Sequence, residues 1–327
     1  MGDRGFPRCL AACTGYTGGV SWLWRPLLLG AALAVVFASA AAGGRAPRIV
    51  FAAAGEGPGH GATQVFSIGV NGSDRVQLTH SVAPNLGPAF SQDGTRLAFE
   101  RGYHGRANDL WTMNADGSDE RTLTRNADGM DEANPTWSPD GTKIAFEVFD
   151  PISKQGIWII NGDGTGLRRL TDGGEDGSPS WSPDGNEIAF GRYSDIYVVS
   201  VSGRGLTKLT DASVGADGYE PRWSPDGSQI AFVADRPPQE CSEPTDLWLM
   251  SADGSTVRQL TDTLNYAEED PIWLPNGQIA FIRETYGGGG TLWTIDADGT
   301  NLRNITDPFT AAPTDEREAT PAPHEGC

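Results

Sequence analysis

One phrase recurs five times along the chain, and its period limits the fold more than any other feature. It reads Pro88-Ala-Phe90-Ser-Gln-Asp93-Gly94, Pro135-Thr-Trp137-Ser-Pro-Asp140-Gly141, Pro179-Ser-Trp181-Ser-Pro-Asp184-Gly185, Pro221-Arg-Trp223-Ser-Pro-Asp226-Gly227 and Pro271-Ile-Trp273-Leu-Pro-Asn276-Gly277. The leading prolines stand 47, 44, 42 and 50 residues apart. A repeat of that length is one supersecondary unit that cannot bury its apolar face alone, so neighbouring units must stack. On length alone, 327 residues could form two domains. A repeat running through most of them argues for one.

Each phrase opens a first strand and leads into a short aliphatic run, such as Lys143-Ile-Ala-Phe-Glu-Val148 or Gln229-Ile-Ala-Phe-Val233. A loop of variable length follows, then a second run such as Ile157-Trp-Ile-Ile160 or Leu247-Trp-Leu-Met250. A tight turn comes next, for example Ala115-Asp-Gly117 or Ala297-Asp-Gly299, and the unit closes on Leu123-Thr124, Leu170-Thr171, Leu209-Thr210, Leu260-Thr261 or Ile305-Thr306. The runs have strand length and composition. The turns work because Gly takes positive φ and Pro presets φ at the second turn position. Glycine accordingly reaches 43 residues, about twice the usual share of ~7%. Four short antiparallel strands per unit is the signature of a propeller blade.

The fold class expected is therefore all-β, a six-bladed propeller of four-stranded antiparallel blades. Arg48-Ile-Val-Phe51, Gln64-Val-Phe66, Asn71-Gly72 and Leu78-Thr79 supply a partial first unit that lacks its inner strand. The tail Glu318-Ala-Thr-Pro321-Ala-Pro323 echoes Glu132-Ala-Asn-Pro135-Thr-Trp137. It is expected to pair with the first unit and close the ring, which removes two exposed sheet edges.

These motifs resemble the TolB-type propeller repeat, a WD-like repeat of six-bladed propellers in the bacterial envelope. The resemblance rests on Pro-x-Trp-Ser-Pro-Asp-Gly, Ile-Ala-Phe, the Asp-Gly turn and the closing Leu-Thr, and it covers nearly all of residues 43–327. It implies a stand-alone propeller without the α/β domain that precedes the propeller in TolB. No Gly-x-Ser-x-Gly nucleophile elbow, which a propeller-bearing peptidase would carry, occurs in the chain.

Arg25 precedes an apolar run, Leu27 to Phe37, and then Ala38-Ser39-Ala40-Ala41-Ala42. That order matches a secretory signal with a small-residue cleavage site. Residues 1–42 are read as a signal peptide, with an uncleaved anchor as the alternative, and residues 43–327 as the propeller. The protein is expected to be exported: periplasmic, cell-surface or secreted. Removing residues 1–42 leaves 21 basic and 42 acidic residues, a balance of −21. Such a field repels phosphate backbones, so nucleic acid is excluded as a partner. Membrane contact is expected only through an uncleaved leader. Cys241 and Cys327 remain after the leader, and an oxidising compartment permits a disulfide between them.

Three sets of candidate residues stand out. Trp137, Trp181, Trp223 and Trp273 fall in one column and are read as packing between blades, with a ligand platform as the alternative. Asp140, Asp184 and Asp226 are read as turn formers. Carboxylates cluster at the start of the inner strands: Glu132, Asp176 and Glu268 stand three residues before a repeat proline, and Glu220 and Asp270 one residue before. These are expected to ring one mouth of the channel, as a cation or basic-peptide site or as a solvated turn. Convergent carboxylates suit Ca2+, although no cofactor is required by any motif. The expected function is a non-catalytic, monomeric binding or scaffold module for an envelope or extracellular protein or peptide, working through the mouth and the loops between the second and third strands. The alternative is a metal-assisted, lactonase-like hydrolase or a ligand sensor that uses the same carboxylates.

Overall fold

The computed structural model describes residues 33–35, 47–55, 62–103, 106–125, 130–149, 155–210, 218–235, 245–263, 265–285 and 290–305. They form six four-stranded antiparallel sheets. Blade 1 holds Leu33–Val35, Arg48–Ala54, Thr63–Gly69 and Val76–Gln77; blade 2 holds Asn85–Phe90, Arg96–Tyr103, Arg106–Asn114 and Arg121–Thr122. Blade 3 holds Asp131–Trp137, Lys143–Phe149, Gly156–Asn161 and Arg168–Arg169; blade 4 holds Asp176–Trp181, Glu187–Arg192, Asp195–Ser200 and Thr207–Lys208. Blade 5 holds Gly218–Trp223, Gln229–Asp235, Thr245–Ser251 and Val257–Gln259; blade 6 holds Tyr266–Trp273, Gln278–Thr285, Gly290–Asp296 and Arg303–Asn304. The inner strands of successive blades lie side by side around the axis. The six-bladed propeller expected from the repeat is the fold observed.

The second strand explains the stacking. In Leu97-Ala98-Phe99, Leu97 and Phe99 pack toward blade 1 and Ala98 toward blade 3. Ile144, Ala145 and Phe146 divide in the same way between blades 2 and 4. Strand alternation thus gives each sheet two buried faces, a bulky one and a small one. The small face accepts the indole of the next blade. Six apolar clusters result, one per interface, and the last joins Ile49 and Ile68 of blade 1 to Ile282 and Leu292 of blade 6.

Polar contacts fix the spacing of the blades. The indole N–H groups of Trp137, Trp181 and Trp273 donate to Ala89 O (3.2 Å), Thr136 O (3.2 Å) and Arg222 O (3.0 Å), each on the inner strand of the preceding blade. The tryptophans of this column pack between blades. Trp223 departs from the pattern: its indole nitrogen has no partner, and its backbone N–H takes Ser180 Oγ at 3.1 Å. In the turn, Ser138 Oγ donates to Asp140 Oδ1 (2.6 Å), which also accepts Thr142 N–H (3.0 Å). Asp184 and Asp226 repeat this with Ser182 and Ser224. The Ser224 hydroxyl and the Ser228 N–H hold the Asp226 carboxyl down to about 2.

Blade 1 is built differently from the sequence expectation. Its inner position is taken by Leu33–Val35, from within the apolar leader run, paired Leu33↔Phe51, Ala34↔Val50 and Val35↔Ile49. The tail expected there, Glu318–Pro323, lies outside the described residues, as do Cys241 and Cys327.

Trp181→Phe keeps one aromatic ring and deletes the pyrrole ring with its bond to Thr136. It should lower stability in urea unfolding by about 1 kcal/mol. Trp181→Ala removes the whole side chain, and a loss of roughly 3–5 kcal/mol is expected. Equal losses for the two variants would contradict this division of labour.

Candidate functional site

The inner strands share a local distortion that shapes the channel. In blades 2 to 6 their pairing with the second strand slips at the repeat proline, between Leu86 and Ala89, opposite Ala145 to Glu147, between Gly177 and Ser180, between Tyr219 and Arg222, and between Glu269 and Ile272. The residue before each proline is left-handed: Gly87, Asn134, Ser178, Glu220 and Asp270 have φ of 50 to 53°. Four of the five are not glycine, a conformation that needs outside support. That support is a carboxylate from the preceding blade. Glu100 Oε1 accepts Asn134 N–H (2.8 Å), Glu147 Oε2 accepts Ser178 N–H (2.7 Å), and Glu220 Oε2 accepts Asp270 N–H (2.8 Å).

A chamber of about 270 Å3 opens beside this row of carboxylates. Glu147, Glu220, Glu175 and Asp176 line it together with Tyr193 and Tyr219, and among the described residues no Lys or Arg does. The second-strand position after the buried Phe is Glu100 in blade 2, Glu147 in blade 3 and Gly191 in blade 4. Gly191 leaves the space open: a Cβ there would find its nearest neighbour, Gly177 O, at 3.8 Å. Glu147 also accepts Asn134 Nδ2 at 3.0 Å. Burial pushes the Glu147 carboxyl up, its two N–H bonds oppose this, and the Glu220 charge adds to the rise.

The residues singled out by sequence separate into two groups. Glu220 lines the chamber and Asp270 supplies the N–H that Glu220 holds. Glu132 and Glu268 turn between blades instead. The Glu132 carboxylate accepts the Thr124 hydroxyl and Leu110 N–H of blade 2, and Glu268 accepts the Thr261 hydroxyl and Leu247 N–H of blade 5. Asp176 borders the chamber but is bound on both oxygens by Arg192, at 2.5 and 2.8 Å. The five carboxylates therefore do not form a ring at the mouth. Among the described residues, no group of three or more His, Cys, Asp or Glu side chains is placed to hold a metal ion.

Sequence reading missed two sets of residues. Glu100 and Glu147 are one. The other is an arginine two positions after the buried Phe in alternate blades: Arg101, Arg192 and Arg283. Each binds the first polar residue of its own inner strand, Asn85, Asp176 or Glu268. Each also lies over aromatic rings, at 4.2 Å from Trp111, 5.3 Å from Tyr197 and 4.5 Å from Trp293. The signal for both sets was visible as departures from an otherwise uniform Ile-Ala-Phe repeat.

A second chamber, about 410 Å3, occupies the channel at the other end of the inner strands. Trp137, Trp181, Trp223 and Trp273 line it alongside Pro139 and Pro183, and among the described residues Arg222 is its one charged lining residue. The channel thus has one acidic end and one apolar, weakly cationic end.

Residues 46–313 match the family described as the TolB beta propeller domain. None of the curated proteins compared matches the chain. The solved TolB of Acinetobacter baumannii is similar with a TM-score of 0.63 and 20% identity, over 74% of this chain and 59% of that one. A structure assigned as TolB from Agrobacterium tumefaciens gives 0.61 and 22%, over 71% of this chain and 84% of that one. A chain of the nidogen/laminin complex gives 0.59 at 11% identity, over 75% of this chain and 90% of that one. At these identities the likeness is one of fold.

Burial raises the Glu100 carboxyl from 4.5 to about 8, against its bond from Asn134 and helped by the charges of Glu147 and Asp131. A carboxyl whose folded pKa exceeds its unfolded one contributes full stability below pH 4.5 and loses it as pH climbs to the folded value. The melting temperature of the wild type should therefore fall relative to Glu100→Gln between pH 5 and 8, since Gln keeps the acceptor for Asn134. Parallel melting curves across that range would remove Glu100 from the account.

Proposed function

The chain belongs to the TolB beta-propeller family, and on that basis we propose that it is an exported, non-catalytic binding module that receives a basic segment of a peptide or protein at the acidic end of its channel. One observation carries the reading: a chamber of about 270 Å3 lined by Glu147, Glu175, Asp176 and Glu220, with no basic side chain among the described residues of its wall. A Lys or Arg side chain entering it meets carboxylates at its head and the rings of Tyr193 and Tyr219 along its stem, a combination suited to an alkylammonium or guanidinium. The chain's balance of 24 basic to 43 acidic residues favours approach of such a partner over long range. The fold is compatible with protein recognition, since a propeller of similar shape occurs in the nidogen/laminin complex. The partner expected is an envelope or extracellular protein.

A short peptide of alternating Lys and Ala, titrated by calorimetry, tests this with the Gly191→Glu variant. Glu at 191 fills the chamber while adding negative charge. Chamber binding predicts about tenfold weaker affinity for Gly191→Glu, whereas diffuse attraction to an acidic surface predicts equal or tighter binding. The double variant Glu147→Gln, Glu220→Gln keeps both backbone acceptors and should weaken binding to a similar degree. Unchanged affinity in both variants would overturn the reading.

A further inference from the structure

One arginine on the channel wall is held unlike the others. The residue after each repeat proline is Ala89, Thr136, Ser180, Arg222 or Ile272, and all five line the apolar chamber of about 410 Å3. Of the five, only Arg222 is charged. Its Nη1 donates to Pro221 O at 3.0 Å and reaches Ser178 O at 3.5 Å. Among the described residues, neither its Nε nor its Nη2 makes a hydrogen bond or an ion pair.

That edge is the one that binds acids elsewhere in this chain. Arg192 sets Nε and Nη2 on the two oxygens of Asp176, at 2.5 and 2.8 Å. Arg283 sets both on Glu268 Oε1, at 3.1 and 2.5 Å. Arg101 directs Nε to Asn85 and Nη2 to Glu120. Arg222 therefore holds, on a partly exposed side chain in a chamber wall, the donor pair that three other arginines aim at side-chain acceptors. Such a planar edge matches a carboxylate with two parallel bonds.

The surrounding wall suits a flat apolar body. Indoles of Trp137, Trp181, Trp223 and Trp273 and the rings of Pro139 and Pro183 line it, and among the described residues no Asp or Glu does. Aromatic rings favour edge-to-face and offset contacts with one another, and the volume is that of a small-molecule site. The acid that senses Arg222 stands in the adjoining chamber. Asn134 lines both chambers; burial pushes the Glu147 carboxyl up, and the Arg222 charge opposes that rise. The chain's overall acidity resists an approaching anion, but that field is screened over about 8 Å at physiological salt, whereas an anion on Arg222 is in direct contact.

We propose that the apolar chamber binds a small aromatic monocarboxylate, with its ring among the tryptophans and prolines and its carboxylate on Nε and Nη2 of Arg222. One cation in the wall calls for one anionic group. This site is independent of the basic-peptide reading above, because it occupies the other end of the channel. Glu147 connects the two with opposite sign: removing its charge weakens a cation in the acidic chamber and strengthens an anion on Arg222.

Calorimetric titration of the full chain with naphthoate and with its neutral amide, naphthamide, tests this. Naphthoate should bind with a dissociation constant below about 1 mM, and naphthamide about tenfold more weakly. Arg222→Gln should bring naphthoate down to the affinity of naphthamide and leave naphthamide unchanged, which also shows that the chamber is intact; Arg222→Lys, which keeps the charge without the fork, should fall between. In Glu147→Gln, naphthoate should bind more tightly while the Lys–Ala peptide binds more weakly. No saturable naphthoate binding, equal affinity for acid and amide, an Arg222→Gln variant that binds naphthoate as the wild type does, or a Glu147→Gln variant without tighter binding would each overturn the proposal. Failure of the Lys–Ala peptide alone would overturn only the reading of the acidic chamber.

Discussion

The structure depends on how a left-handed residue in each inner strand is held. A bulge before the repeat proline forces Asn134, Ser178, Glu220 and Asp270 to positive φ. In three of the four contacts between blades 2 and 6, a glutamate on the preceding blade accepts the amide of that strained residue or of its counterpart. Each bond satisfies the amide of a strained residue, so it stabilises a bulge and ties two blades together. It also keeps carboxylates at the wall of the channel in a family of sheets whose inner faces would otherwise be apolar. Structural and recognition chemistry therefore share the same residues, and the acidic chamber follows from the bulge.

Departures from repeat symmetry then give the channel its differentiated parts. Arginines in blades 2, 4 and 6 bind Asn85, Asp176 and Glu268 near the start of the inner strands and cover the aromatic column. Blades 3 and 5 have Val148 and Ala234 at that place. Glutamate support of the bulge comes from the second strand in blades 2 and 3, but from the inner strand in blade 5, where the second strand offers Val233. Between those two arrangements stands Gly191, and the chamber opens there. A uniform repeat would have produced a narrower, evenly charged channel. The cavity exists because the repeat changes its means of support part-way round.

The fold was legible in the sequence because its determinants are local and repeated. Ser-Pro-Asp-Gly specifies a turn by its own hydrogen bonds, as Asp140 and Asp226 show, and Ile-Ala-Phe specifies which strand face is bulky. The channel mouth was less legible, for a geometric reason. In a strand, a shift of one residue moves a side chain to the opposite face, and the bulge supplies that shift between the residue before the proline and those further upstream. Glu132 and Glu268 thus turn between blades while Glu220 reaches the chamber, although all three stand near the start of an inner strand. Nothing in residue type separates them; the register does.

The tryptophans show the complementary limit. Their column could be assigned to packing from its regularity, and three indoles bond the neighbouring strand in the same way. The fourth, Trp223, has the same place in the repeat and a buried indole nitrogen without a partner. Its neighbour Arg222 sends Nη1 to Ser178 O and Pro221 O, at 3.5 and 3.0 Å, within the stretch where the chamber-forming blades meet. An unpaired buried donor costs free energy comparable to a lost hydrogen bond. The irregular packing of blade 5 on blade 4 is thus a destabilising feature at the same interface that carries the open position at Gly191. Both irregularities fall beside one wall of the channel, so the chamber opens where one indole and one second-strand side chain depart from the repeat.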